Sequence, residues 1–170
     1  DPNFDLRSVC DIWSVNREKG ARHAEELFGR RPREFKYSEE MLADEELDAV
    51  MIATGDHQHA RLLAEVARAG KDAYCEKPMA RYWHEARDFY RVAQETGRVV
   101  QIGSQDTSRN VWREARKHVQ AGELGKLVMI QSRIALGPYV KASGWGTQRR
   151  LTGGGAFLSF GPHLIDRVLS

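Results

Sequence analysis

Short apolar runs rich in β-branched residues alternate along this chain with longer stretches of helical period. That alternation predicts βα units around a parallel sheet. The first predicted strand covers residues 6–11 and leads into a helix over 14–28, with Ser14 or Asn16 as its cap and Gly29 as its stop. A weaker strand is expected at 35–37, and a short helix over 38–44 capped by Ser38. Residues 49–53, Ala-Val-Met-Ile-Ala, form a continuous apolar run of the kind expected for a strand covered on both faces. A helix over 57–69 ends at Gly70, a strand over 72–75 follows, a helix over 82–95 stops at Gly97, and a strand over 99–102 closes this half.

After Gln105 the pattern changes. An amphipathic helix is predicted over 108–121, residues 127–134 alternate like an antiparallel strand, a Gly/Pro-rich connection follows, and Gly153-Gly154-Gly155 introduces a final helix. The expected fold class is therefore α/β. It comprises a doubly wound parallel half-sheet, with a domain boundary near residue 104 where the pattern changes. The first residues lead straight into a strand and the chain stops within a helical pattern at Arg167-Val168-Leu169-Ser170, so an internal piece of a longer protein is expected.

Open parallel sheets bind ligands outside the carboxyl ends of their strands, which puts the chemistry at Asp11, at Thr54-Gly55-Asp56-His57, at Glu76-Lys77-Pro78 and at Gly103-Ser104-Gln105. Asp11 is placed to accept hydrogen bonds from the ribose hydroxyls of a nucleotide, or else to cap the helix after it. Pro78 cannot extend a sheet, so Lys77 is forced out at the strand's edge, either as a donor to a substrate oxygen or as a surface lysine before a turn. The three glycines suit a helix start beside a ligand. In the helix that follows, Ser159, His163 and Asp166 share one face, so that a hydroxyl and a carboxylate flank a histidine fit for acid/base work. Pro162 should kink that helix.

Composition narrows the function classes. With 26 basic against 24 acidic residues and a formal net charge of +2, the chain has no long run of one sign, and nucleic acid is not an expected partner. No apolar run reaches the roughly 18 residues of a membrane span. Cys10 and Cys75 fall inside strand-like apolar runs, which fits a reducing compartment and a cytoplasmic location, with an export signal before Asp1 left open. No metal site is expected from His57 and His59, which point apart at a helix start.

Taken in order, these pieces resemble the Gfo/Idh/MocA oxidoreductases, the family of glucose-fructose oxidoreductase and inositol 2-dehydrogenase. The resemblance is carried by Val9-Cys10-Asp11, by Ile52-Ala53-Thr54 with Asp56-His57 and His59, and by Ala69-Gly70-Lys71 leading into Cys75-Glu76-Lys77-Pro78-Met79. It continues through Val100 to Gln105, Gly122-Glu123-Leu124-Gly125-Lys126, and Gly153-Gly154-Gly155 with Gly161, His163 and Asp166. What it implies is an incomplete Rossmann-type, doubly wound domain over 1–104 for NAD, with NADP as the alternative, and over 105–170 the start of an α/β domain with an open antiparallel sheet that holds substrate and mediates homo-oligomers. It assigns catalysis to Lys77 and His163. Cofactor binding falls on Asp11, Thr54, His57, His59, Glu76, Lys77, Pro78 and Gln105, and substrate binding on Lys77, Ser159 and His163. The substrate implied is a small carbohydrate or polyol that exchanges hydride with nicotinamide at a carbinol carbon. An NAD-dependent glycoside hydrolase and a non-catalytic cofactor-binding protein are the alternatives on the same scaffold. One departure stands out: many members carry an aspartate where this chain has Ser159. The family's first strand and glycine-rich turn are expected just before Asp1, and most of its sheet domain after Ser170.

Overall fold

The computed structural model describes residues 4–133, 144 and 147–169. Strands β1 (Ser8–Cys10) and β2 (Arg33–Phe35) pair in parallel, Cys10 beside Phe35. Strands β3 (Ala49–Ile52), β4 (Asp72–Glu76) and β5 (Val100–Gly103) form a second parallel ladder in the order β3-β4-β5. Parallel neighbours need crossovers, and helices supply them here. Helix α1 (Ser14–Phe28) joins β1 to β2, α2 (Ser38–Leu42) lies between β2 and β3, α3 (His59–Arg68) joins β3 to β4, and α4 (Trp83–Thr96) joins β4 to β5. The result is a Rossmann-like α/β fold.

Register decides what the second sheet buries. Val50, Ala73 and Val100 lie side by side, and Ile52 lies beside Cys75 and Ile102. Because strand side chains alternate, both rows share one face. Helices α3 and α4 cover that face with Leu63, Val66 and Phe89. The row between them, Met51, Tyr74 and Gln101, falls on the opposite face, where Met51 is 69% exposed. The expectation that residues 49–53 are covered on both sides is thus corrected. Among the described residues no ladder joins β1 to β3.

Beyond β5 a 3-10 turn (Gln105–Ser108) leads into α5 (Asn110–Gln120), and α6 (Arg149–Thr152) and α7 (Ala156–Leu169) end the described chain. The antiparallel strand expected over 127–134 is a second correction. Residues 127–133 hold no strand, and Val128 and Met129 are 89% and 80% exposed. A strand forms only where a ladder partner takes its main-chain groups, and no described segment lies in that position. Ile134 and most of the Gly/Pro-rich connection lie outside the described residues. Among the described residues no helix is long and apolar enough to cross a membrane.

Candidate functional site

Three strand ends set the stage. After β3 the chain runs through Thr54 and Gly55 into a 3-10 turn (Asp56–Gln58) that opens α3; after β4 come Lys77 and Pro78; after β5, Ser104 precedes the turn that carries Thr107. Pro78 is buried and has no N–H to offer a neighbouring strand, so the ladder stops at Glu76 and Lys77 turns out of the sheet. The Glu76 carboxylate accepts the Lys77 main-chain N–H at 3.2 Å.

Helix α7 lies across these ends. The Lys77 ammonium donates to the Ser159 carbonyl oxygen at 3.1 Å and sits 5.9 Å from the centre of the Phe160 ring. The part of Ser159 that meets Lys77 is thus its carbonyl, not the hydroxyl that sequence reasoning singled out. His163 is 8% exposed, and its Nδ1 is buried without a hydrogen-bond partner. Asp166 does not orient it: its Oδ2 accepts the Thr107 hydroxyl at 2.9 Å, which holds α7 against the turn after β5. The shared helix face was read correctly, but the carboxylate is taken by a side chain from another element.

Two anchors bring α7 here. The Arg81 guanidinium donates to the Arg150 carbonyl at 2.8 Å and pairs with Glu85 at the start of α4. Gly153, at φ 72°, passes so close that a Cβ on it would lie 2.5 Å from the Arg81 carbonyl oxygen. Only glycine fits that crossing. Helix α6 in turn packs on the 3-10 turn Asp56–Gln58. Arg81 and Thr107 were missed by sequence reasoning, since neither stands at a strand end or in a motif.

The turn after β3 holds an acid among bases. Burial raises the Asp56 pKa, against the pull of His59, Lys77 and His57. His57 is half-buried with an unpartnered Nδ1, and it occupies space left by Gly55, where a Cβ would come within 3.0 Å of the ring. His59 is 1% exposed, and its two ring nitrogens face the carbonyls of Pro78 and Thr54, leaving neither to a ligand. Gln105 is exposed.

Asp11 ends β1 on the other ladder. Its carboxylate accepts the Trp13 main-chain N–H at 2.7 Å and the Asn16 amide at 3.3 Å, so it orders the entry to α1. Arg17 donates to the Asp11 carbonyl at 2.8 Å and faces Glu34 at 3.8 Å.

Comparison with known proteins bears on what this edge serves. The model of the Gfo/Idh/MocA oxidoreductase family, NAD-binding Rossmann fold, matches residues 3–104, and that of the Gfo/Idh/MocA C-terminal domain matches residues 112–170. The chain is 30% identical over 165 residues to 1,5-anhydro-D-fructose reductase of Ensifer adhaerens, covering 94% of this chain and 47% of that protein. It is 32% identical over 94 residues to scyllo-inositol 2-dehydrogenase (NAD(+)) of Bacillus subtilis (strain 168), covering 54% of this chain and 28% of that protein. The solved structure of GenD2 from gentamicin A biosynthesis, in complex with NAD, matches with a TM-score of 0.78 at 25% identity over 98% of this chain and 46% of that chain. The chain spans less than half the length of the curated relatives it matches.

Proposed function

This chain belongs to the Gfo/Idh/MocA family of NAD-binding oxidoreductases, and from that membership we propose that it carries the cofactor side, and the beginning of the substrate side, of a sugar or cyclitol dehydrogenase. The observation that carries the proposal is the meeting of Lys77 with α7, where an ammonium group at the strand edge adjoins a helix holding a buried, unpartnered His163 Nδ1. A buried polar atom without a partner costs about 1–3 kcal/mol, so it points to a ligand group that would satisfy it.

Nicotinamide, when bound, supplies the acceptor for the two electrons that leave the carbinol carbon. The residues present fit that end of the cofactor: Lys77 offers a donor, and His57 and His163 each keep a buried ring nitrogen free. In this reading Lys77 donates to the substrate oxygen and fixes its carbon, while His163 takes the hydroxyl proton in oxidation and returns it in reduction. Ser159 binds substrate through its hydroxyl. Unlike a carboxylate it cannot stabilise an imidazolium, so proton transfer depends on His163 itself.

NAD is favoured over NADP by the surroundings of Asp11. Its carboxylate disfavours a 2′-phosphate, and Arg17 is already engaged with Glu34 and the Asp11 carbonyl. Residues 1–104 are read as the cofactor domain and 105–170 as the start of the substrate domain, supported by where the two family matches fall. The exposed apolar run Leu127 to Ile130 supports a further surface lying over this face in the working protein, as a homo-oligomer would supply.

The test is to incubate the purified full-length protein that contains this chain with NAD and a panel of sugars, cyclitols and aryl glycosides while following reduced nicotinamide. Reduction driven by a polyol is the expected result. Glycoside cleavage without net reduction would transfer the assignment to a hydrolase that retains its cofactor. Binding of NAD with no turnover of any compound would leave a cofactor-binding protein.

A further inference from the structure

His59 is the most deeply buried polar side chain at this edge, 1% exposed. It opens α3, directly after the turn Asp56–Gln58, and its main-chain N–H is accepted by the Asp56 carbonyl. The ring spans two strand ends. Nδ1 lies 2.6 Å from the carbonyl oxygen of Pro78, which follows β4 and Lys77, and Nε2 lies 3.1 Å from the carbonyl oxygen of Thr54, which follows β3.

Both acceptors are main-chain oxygens, so they carry no sequence information and serve to fix backbone. The residue next to the first of them is Lys77, whose ammonium is the group placed against α7. A strand end is held by its ladder only as far as the last paired residue, Glu76 here, opposite Gly103. Beyond that point, among the described residues, the Lys77-Pro78 turn is secured by the Glu76 carboxylate on one side and by the His59 ring on the other.

We propose that His59 is a positioning residue, a buried bracket that ties the turn after β4 to the turn after β3 and so sets where Lys77 delivers its amine. This rests on the reading of Lys77 as the donor to the reacting substrate. His59 acts without touching cofactor or substrate, which replaces the cofactor-binding role expected for it. A hydrophobe of similar size would fill the space but remove the ring N–H and leave the carbonyl it serves without a donor, while an amide N–H could restore that bond.

The experiment compares wild type, His59→Gln and His59→Leu by two readouts. The first is the acylation rate of the Lys77 amine by a small amine-reactive ester, mapped by peptide mass spectrometry against Lys71 as internal reference; it needs neither cofactor nor turnover. Lys77 labelling is expected to rise at least about threefold in His59→Leu, with His59→Gln between the two, because the amine loses its hold on the Ser159 carbonyl. The second is kcat for polyol oxidation, expected to fall about 10- to 100-fold while KM for NAD changes far less, since a misplaced reacting group costs rate at this scale. Wild-type labelling of Lys77 in a folded His59→Leu protein overturns the proposal. If His59→Leu does not fold, His59→Gln carries the same comparison, and wild-type labelling there overturns it. Raised labelling in a protein whose wild type oxidises no polyol would uphold the bracket and remove the dehydrogenase reading alone.

Discussion

The Lys77 ammonium donates to the carbonyl oxygen of Ser159 across 3.1 Å, joining positions 82 residues apart. The strand end alone therefore does not decide where this amine lies. The docking of α7 does so as well, and α7 is held by the Thr107–Asp166 hydrogen bond and by the Arg81 crossing at Gly153.

Gly153→Ala should loosen that docking. The new methyl group would meet the Arg81 carbonyl at 2.5 Å in a left-handed backbone, and main chain on both sides leaves no flexible end to yield. The substitution is expected to cost about 1–3 kcal/mol in denaturant unfolding. An unchanged unfolding midpoint would show that α7 does not depend on this crossing.

Asp56 gives a stability effect with a defined sign. Its pKa is raised above 3.8, chiefly by burial, so the fold prefers the neutral acid. The stability cost is absent well below the unfolded value, grows as pH rises from about 4, and is complete above the folded pKa. Asp56→Asn should therefore raise Tm at pH 7, and the gain should vanish near pH 3. A gain of equal size at both pH values would contradict burial as the cause.

The Cys75 thiol is fully buried and pushed up to about 12 by burial and by the neighbouring Glu76 carboxylate. It should resist iodoacetamide in the native protein at pH 8, with half-buried Cys10 reacting first, and label readily in denaturant. Mass spectrometry of the two peptides decides it. Fast native labelling of Cys75 would place it outside the core.

Much of this arrangement was legible in the sequence because it depends on local chemistry. Gly29 and Gly97 end α1 and α4 in left-handed conformations, where punctuation by glycine had placed the stops. The apolar runs marked β3, β4 and β5 to within a residue or two. β2 came two residues earlier than expected, since Arg33 and Glu34 give no apolar signal and pair only because β1 lies beside them. At the entry to α1, Trp13 precedes the helix and neither Ser14 nor Asn16 caps it; the Asp11 carboxylate orders that entry, which is the capping role offered as the alternative to ribose binding. The strand ends also located Lys77, Asp56 and His57. What could not be read were contacts between distant elements, such as Thr107 claiming Asp166 and Arg81 receiving Gly153, because nothing in either local pattern names the partner.

The central claim is that Lys77 and His163 form one dehydrogenase site, and NAD reduction by the best polyol substrate in Lys77→Met and His163→Asn tests it most directly. Each variant should lose about 10²- to 10⁴-fold in kcat, the range for a positioned proton-transfer or donor group, and the double variant should lose little more than the worse single one, as for residues acting as a unit. Rates within about threefold of wild type in folded Lys77→Met would contradict the account, since a donor in contact with the reacting oxygen is worth far more than that.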